Sequence, residues 1–192
     1  MTAASVLTQM IRLHQITCSH VKTDDGEVKP IKNNRIKELL EVHEETDGKV
    51  IIWAVYRYDI QEIERTLGEK YGKESVATYY GDTKDSIRQS IVDRFMDADD
   101  PLRFFVGNPK TGGYGLTLTS SHTVVYYSND YSLEVRLQSE DRAHRIGQTS
   151  KVTYVDLMAD HTIDEKIVKS LNAKIDLASQ VMGEDPKKIL FG

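Results

Sequence analysis

The chain has 192 residues, 39% of them hydrophobic and 29% charged, which is typical of a folded globular protein with one domain and short appendages. Its formal net charge of −5 excludes the general basic excess of an autonomous nucleic-acid-binding domain, so any nucleic-acid contact must be local. A single cysteine excludes an intrachain disulfide, no apolar run approaches the roughly 18 residues of a membrane span, and no secretion signal is present, which together predict a cytoplasmic location without membrane contact.

Residues 1–32 are predicted to form a helical arm followed by a linker. Side chains recur at helical spacing near the start of the chain, which indicates an amphipathic helix that packs on another element. The residues at this spacing are Val6, Met10, Leu13 and Thr17. Three possible metal ligands, His14, Cys18 and His20, follow one another closely, but no fourth ligand lies nearby. We therefore expect half-buried packing roles for these three residues and no metal site.

Residues 33–183 are predicted to form one domain in which strands and helices alternate. The run Lys49–Tyr56 is apolar almost throughout, as a strand must be when helices cover both faces of its sheet. Further strands, separated by amphipathic helices, are predicted at residues 75–80, 102–106, 123–127 and 151–157. This alternation predicts an α/β fold with a doubly wound, mainly parallel sheet flanked by helices.

Two of the predicted helices have specific sequence signals. In the helix after the turn at Tyr80, the spacing of Ile87, Ile91 and Phe95 predicts that these three side chains face the core. The last helix begins with the capping box Thr162–Glu165. Its predicted core stripe consists of Ile163, Ile167, Leu171, Ile175 and Ala178. Residues 184–192 form a tail for which the sequence predicts no structure.

A glycine-rich turn, Thr111-Gly112-Gly113-Tyr114-Gly115-Leu116, lies between two of the predicted strands. Three glycines within four positions permit positive φ and let main-chain N–H groups approach a ligand, which suits a phosphate. A turn that only reverses the chain fits the same residues.

Downstream, Gln138, Arg142 and Arg145 recur about one turn apart on a predicted helix. Two guanidinium groups on one face suit the oxygens of a phosphate, because each offers a planar fork of donors. The alternative is a surface set of ion pairs with the neighbouring Glu140 and Asp141.

Together, the turn and the arginine segment resemble motifs V and VI of the Swi/Snf-like branch of superfamily-two helicases and DNA translocases. The strings that carry the resemblance are GGYGLTLT at residues 112–119 and QSEDRAHRIGQ at residues 138–148, and DRAHRIGQ is among the most specific strings of that family. The resemblance covers nearly the whole chain and implies a RecA-like helicase C-terminal lobe.

In that family, the arginines that Arg142 and Arg145 match reach across a cleft to the γ-phosphate of ATP on a partner lobe. By the same resemblance, we expect Gln138 to place the attacking water or the edge of the nucleotide. Gly113, Gly115 and Asp141 are then expected to lie at the nucleotide.

The resemblance also implies one side of a DNA track. The strand Lys49–Tyr56 matches motif IV, and residues 81–83 with Arg88 and Phe95 resemble a segment that contacts a DNA phosphate, although a plain capped turn fits them equally well. The predicted DNA-binding residues are Tyr56, Arg57, Gly81, Thr83, Lys110 and Thr111.

The sequence departs from the family pattern after the fourth strand. Most members have Asp-x-x-Trp-Asn where this chain has Ser128-Asn129-Asp130-Tyr131-Ser132, so an aromatic residue is kept while the carboxylate has moved or is lost. We therefore expect this departure to affect how tightly contact with DNA is coupled to the ATP site.

Two features of a complete motor are absent from the sequence, namely a G-x-x-x-x-G-K-[ST] loop and an acidic pair that would hold Mg²⁺. We therefore expect the second half of a two-lobe motor, inactive alone, that uses ATP and Mg²⁺ together with an N-terminal P-loop lobe. DNA is the expected partner, with RNA left open.

Two alternatives remain. The first is a regulatory module of the same fold that binds nucleic acid or protein without hydrolysing ATP. The second is an unrelated nucleotide-binding α/β domain, which would leave the paired arginines unexplained.

Overall fold

The computed structural model describes residues 3–112, 115–145, 148 and 150–182. The helices of this part of the chain are α1 (Ala3–Thr17), α2 (Arg35–Glu44), α3 (Arg57–Tyr71), α4 (Asp85–Met96), α5 (Pro109–Gly112), α6 (Leu133–Glu140) and α7 (Ile163–Met182), with a short 3-10 turn at Lys73–Ser75. The strands are β1 (His20–Lys22), β2 (Val28–Pro30), β3 (Lys49–Trp53), β4 (Val76–Tyr79), β5 (Phe104–Gly107), β6 (Ser121–Tyr126) and β7 (Thr153–Asp156).

Five strands form one sheet in the order β4-β5-β3-β6-β7, and every neighbouring pair is parallel. The apolar strand β3 lies at the centre, where Val50 is in register with Phe104 on one side and with Thr123 on the other. The predicted parallel α/β sheet is therefore confirmed. Strands β1 and β2 form a separate antiparallel hairpin that the sequence analysis did not predict.

The sheet has a hydrophobic core on each face, because alternate side chains of β3 point in opposite directions. On one face, helices α2 and α3 cover a core that includes Leu39, Val50, Ile52, Ile60, Ile63 and Leu67. On the other face, helix α4 and the segment after α6 cover a core that includes Ile51, Trp53, Ile91, Phe95, Phe105 and Ala143. Helices on both faces explain why β3 has no polar position between Val50 and Trp53.

Helix α1 forms as predicted, but its packing differs from the prediction. Val6 and Leu13 were expected to face the protein, yet both are exposed, whereas His14 is buried. The reason is that α1 contacts α7 and the β1–β2 hairpin, and docks through polar groups described below.

Two other local predictions were wrong. Ile87 is exposed, because it lies in the first turn of α4, and only the later residues Ile91 and Phe95 reach the sheet. The helix that was predicted to carry both arginines ends at Glu140, and residues 141–145 continue as turns and bends.

Helix α7 has the predicted start and part of the predicted stripe. Thr162 accepts a hydrogen bond from the Asp164 N–H at 3.2 Å, and the Glu165 carboxylate accepts one from the His161 N–H at 2.9 Å. Ile167 and Leu171 are buried, whereas the rest of the stripe is half-buried. The predicted end of this helix at Gly183 and the tail lie outside the described residues. No helix within the described ranges is both long and apolar enough to cross a membrane.

Candidate functional site

The candidate site lies at the edge where the parallel strands end, because loops leaving the carboxyl ends of neighbouring strands meet there. Side chains in these loops bind the main chain of adjacent loops. The Asn108 side chain, after β5, donates to the Val55 oxygen at 2.8 Å, and the Val55 N–H donates to the Ser128 hydroxyl at 2.9 Å. The exits of β3, β5 and β6 are therefore tied together as one surface.

At the exit of β3, Tyr56 and Arg57 have different environments. The Tyr56 hydroxyl is hydrogen-bonded to Nδ1 of His14 at 3.0 Å, and burial raises the pKa of this phenol well above its usual range. Arg57 is exposed and pairs with Asp82 at 2.9 Å. Of these two predicted DNA contacts, the tyrosine hydroxyl is held by the arm and the arginine faces solvent.

The turn after β4 contains the predicted phosphate contacts Gly81 and Thr83. Thr83 is buried, and its hydroxyl donates to the Thr78 oxygen and accepts from the Tyr80 N–H at 3.0 Å. Gly81 is exposed. The Thr83 hydroxyl thus closes the turn. Arg88 fixes the same turn by donating to the Thr83 oxygen at 3.0 Å.

After β5, the short helix α5 presents Lys110 and Thr111. The Asn108 side chain accepts a hydrogen bond from the Lys110 N–H at 2.9 Å, which fixes the start of this turn. The Lys110 ammonium is exposed and lies 2.7 Å from a carboxylate oxygen of Asp130. Gly112 ends the helix against the indole ring of Trp53, where a Cβ would lie only 2.7 Å from a ring carbon.

Arg142 is buried, and its guanidinium is occupied by the protein itself. It donates to the main-chain oxygens of Leu116 and Gln138 at 2.9 Å each and to the Asp141 carboxylate at 2.8 Å. Its own carbonyl accepts a hydrogen bond from the Leu118 N–H at 2.9 Å. Burial lowers the pKa of Arg142, and Asp141 opposes that shift. Arg142 thus joins the end of the glycine-rich turn to the end of α6.

Arg145, in contrast, is exposed and weakly held. One guanidinium nitrogen lies 3.2 Å from the Thr117 hydroxyl and 3.5 Å from the Leu116 oxygen. The two arginines were predicted to lie on one helical face, and both reach the Leu116 oxygen, but only Arg145 has its guanidinium at the surface.

The other residues predicted at the nucleotide are placed as follows. The Gln138 side chain is half-buried and donates to Glu134 at 2.9 Å. Gly115 has φ of +75°, and nothing lies within 4 Å of where its Cβ would be, so the main chain there is open to a ligand. Asp141 pairs with Arg142, and Gly113 lies outside the described residues.

The three possible metal ligands of the arm contact protein groups. His20 lies 3.0 Å from the buried Asp59, His14 bonds to Tyr56, and burial raises the pKa of the Cys18 thiol. Within the part of the chain that the structure describes, potential metal ligands converge instead at Asp160, His161 and Glu165, a surface group close to the start of α7.

Comparisons with known proteins show the family of this chain. A family model described as the helicase conserved C-terminal domain matches residues 31–147. The ATP-dependent helicase fft2 of Schizosaccharomyces pombe is 32% identical over 173 residues, which cover 89% of this chain and 13% of fft2. The SWI/SNF chromatin-remodeling complex subunit snf22 of the same organism is 35% identical over 102 residues, covering 53% of this chain and 7% of snf22.

The chain belongs to the helicase conserved C-terminal domain family. Its relatives place it with the Swi/Snf-like ATP-dependent helicases, as the sequence motifs predicted. Among solved structures, the crystal structure of the C-terminal part of the Fun30 ATPase domain matches with a TM-score of 0.62 and 27% identity, over 72% of this chain and 44% of that one. The chain spans less than a fifth of the length of fft2 and of snf22.

The family model matches the candidate site residues but not all of the elements around them. All the candidate residues from Tyr56 to Arg145 lie inside this helicase C-terminal domain, whereas α1, β1, β7 and α7 lie outside the matched range. The arm residue His14 nevertheless contacts Tyr56, so a segment outside the matched range helps to shape the site.

The loop at residues 128–132, which departs from the Swi/Snf-like pattern, is held by its own hydrogen bonds. Ser128 accepts a hydrogen bond from Val55, and Asp130 keeps a carboxylate in the loop, where it accepts one from the Ser132 N–H at 2.9 Å. Arg136 was not among the residues predicted from the sequence, and its guanidinium lies 3.6 Å from the centre of the Tyr126 ring.

Arg136 is surrounded by acceptors on the inner side of the same loop. It bonds to Glu140 and to the Asn129 side chain at 2.7 Å each, and pairs with Asp156. Its spacing of four residues from Glu140 on a helix was the available sequence signal. This partly buried cluster fixes α6, and therefore the segment that carries Arg142, against β6 and β7.

Proposed function

We propose that this helicase C-terminal domain is the second motor lobe of an ATP-dependent Swi/Snf-like DNA helicase or translocase. An N-terminal P-loop lobe of the same protein would hold the nucleotide, while this lobe supplies Arg145 to the nucleotide and forms one side of the DNA track. ATP, bound with Mg²⁺ on that other lobe, supplies the phosphoryl group whose transfer to water drives the motor.

The contrast between the two arginines carries the proposal. Arg142 is buried and satisfied by Leu116, Gln138 and Asp141, so its role is to hold the loop. Arg145 has an exposed guanidinium with long hydrogen bonds, which it can exchange for stronger, charge-assisted bonds to phosphate oxygens. An arginine finger requires a planar guanidinium group that can leave its resting contacts.

The surroundings of Arg145 fit a phosphate group. Gly115 leaves the main chain uncovered close to the resting contacts of Arg145 at Leu116 and Thr117. The Gln148 side chain donates to the Thr119 and Ser121 oxygens at 3.1 Å each, which fixes the far end of the same segment. These contacts hold the segment in place while the Arg145 side chain moves. The guanidinium can therefore be positioned at a phosphate with little reorganisation of the main chain.

The DNA track is proposed from the strand-end surface. Arg57 and Lys110 are two exposed cations of this surface, and the turn at Gly81 lies beside Arg57 through the Arg57–Asp82 contact. Because the chain carries a net charge of −5, these local cations have to provide the attraction for phosphates. We expect salt-sensitive DNA binding that needs both lobes.

The decisive experiment is DNA-stimulated ATP turnover by a protein with both lobes. We expect Arg145→Ala to lower kcat by about a thousandfold with little change in nucleotide affinity, because the interaction is made in the transition state. Arg145→Lys should not rescue turnover, since the compact ammonium group of lysine does not reproduce the planar set of donors of a guanidinium. The matched control is Arg65→Ala, which removes an exposed arginine from α3.

Near-normal turnover of Arg145→Ala would contradict the proposal. Normal DNA binding combined with no ATP turnover by the unaltered two-lobe protein would favour the regulatory module that binds without hydrolysing ATP.

A further inference from the structure

Arg57 and Lys110, two exposed cations of the proposed DNA track, are each neutralised by a carboxylate of this chain. Arg57 lies 2.9 Å from Asp82, and Lys110 lies 2.7 Å from Asp130, although the two basic side chains are 62% and 60% exposed. Each pair joins segments that follow two different strands at the carboxyl ends of the sheet. A cation at this surface therefore presents little net charge to an approaching anion.

The two acids are held to different degrees. Asp82 is 50% exposed, and its one hydrogen-bonded partner among the described residues is Arg57. Asp130 is 15% exposed and also accepts a hydrogen bond from the Ser132 N–H, so its position is fixed by the loop. Asp82 can rotate away when its partner leaves, whereas Asp130 stays close to whatever binds Lys110.

Exchange of these carboxylates for phosphates is energetically feasible. Exposed ion pairs contribute little to stability because water competes for both partners. A DNA backbone offers closely spaced phosphates and releases counterions when cations bind it. Each phosphate that binds Arg57 or Lys110 must first displace the carboxylate that already occupies the cation.

We propose that Asp82 and Asp130 act as competing carboxylates that set the affinity of this lobe for the phosphodiester backbone of DNA. The inference rests on the proposed function, since it takes Arg57 and Lys110 to be the phosphate-binding groups. The two acids keep binding weak and exchangeable, which a lobe that moves along a backbone requires. They determine affinity through the two cations, without contacting the DNA themselves.

The test measures binding of a fluorescent DNA duplex to the full-length protein that contains this chain, at low salt. Asp82→Asn and Asp130→Asn should each tighten binding about two- to fivefold, the range expected for loss of one exposed ion pair. Asparagine is chosen because it can still accept the hydrogen bond from Ser132 at position 130. The double variant should tighten binding about tenfold.

Two controls separate competition from a general change of charge. Glu41→Gln removes the same charge from a carboxylate that is 51% exposed and pairs with Lys37 on α2, outside the proposed DNA track, so it should change affinity less than twofold. In an Arg57→Gln background, Asp82→Asn should have no effect, because its partner is already gone. The same holds for Asp130→Asn in a Lys110→Gln background.

Equal tightening by Glu41→Gln, or tightening that persists in the Arg57→Gln and Lys110→Gln backgrounds, would overturn the inference in favour of a general electrostatic effect. Unchanged affinity in both acid variants, with normal binding by the unaltered protein and weaker binding by Arg57→Gln and Lys110→Gln, would overturn the inference alone. Failure of Arg57→Gln and Lys110→Gln to weaken binding would overturn the proposed DNA track and the inference together.

Discussion

The guanidinium of Arg142 donates a hydrogen bond to the main-chain oxygen of Leu116 at 2.9 Å, which connects the two most specific motifs of the sequence. Arg145 approaches the same oxygen from solvent at 3.5 Å. One carbonyl thus receives both arginines, but only one of them is buried. The two side chains should therefore differ sharply in what their removal does to folding.

We expect Arg142→Ala to lower the free energy of unfolding by about 2 kcal/mol, because it leaves the Leu116 and Gln138 oxygens and the Asp141 carboxylate without their donor. Arg145→Ala should stay within about 0.5 kcal/mol, as for most exposed side chains. Thermal unfolding of both variants checks this expectation. Equal melting temperatures for the two variants would contradict it.

Gly112→Ala should destabilise the fold by about 1–3 kcal/mol, because the new methyl group would lie 2.7 Å from a carbon of the fully buried Trp53 ring. Gly81→Ala is the matched control, since nothing lies within 4 Å of its Cβ position. Chemical denaturation of both variants gives the comparison. A stable Gly112→Ala would show that this glycine is not needed for packing.

Asp164→Ala should lower the free energy of unfolding by about 3–5 kcal/mol, because it leaves the buried Arg35 without its ion-pair partner. It also removes the acceptor of the Thr17 hydroxyl, which lies 2.7 Å away, so α1 should exchange its amide hydrogens faster. Thermal unfolding and hydrogen exchange measure the two effects. Asp176→Ala, an exposed acid on the same helix, is the control and should change neither quantity.

The expectation for Asp164 has a second test. Replacing both partners with apolar residues, Arg35→Met with Asp164→Leu, should cost less than the sum of the single changes, because no buried charge is left alone. Additive losses would mean that the two side chains do not interact.

Acid should destabilise this domain partly through His43. Burial lowers its pKa from 6.5 to about 4, and the nearby Arg103 acts in the same direction. The unfolded chain therefore binds more protons than the folded one between these values, so stability is complete above pH 6.5 and falls as the pH drops toward 4. At pH 5, the loss from this one residue is roughly 2 kcal/mol.

The measurement for His43 is thermal unfolding at pH 7.5 and pH 5. We expect His43→Leu to show a smaller drop in melting temperature between the two values than the unaltered chain shows. His122→Gln replaces an exposed histidine and should keep the full drop. The same drop in His43→Leu as in the unaltered chain would assign the acid sensitivity to other groups, such as His14, whose pKa burial also lowers to about 4.

Much of the fold could be predicted because the sequence records whether each position is apolar. The unbroken apolar run of β3 predicted a central strand, and the regular alternation of strands and helices predicted the parallel sheet. The strings GGYGLTLT and QSEDRAHRIGQ predicted the family, and a match over residues 31–147 confirms it. Local composition and motif spacing sufficed for these conclusions.

Other features were decided only in three dimensions, because they depend on which residues distant in the chain come together. Helical spacing predicted equivalent positions for Arg142 and Arg145, but α6 ends at Glu140, so one guanidinium turns inward to Leu116 and the other faces solvent. Periodicity likewise gave no information on which turn of a helix reaches the sheet, which is why Ile87 was misplaced.

The polar contacts that hold the arm show the same limit most clearly. Arg35 and Asp164 are 129 positions apart, and His14 and Tyr56 are 42 apart, yet both pairs are in contact. The sequence by itself determined the family, the sheet and the positions of the motifs. Tertiary structure decided which of their charged groups are buried and paired and which are exposed, because desolvation and pairing depend on neighbours that local sequence does not specify.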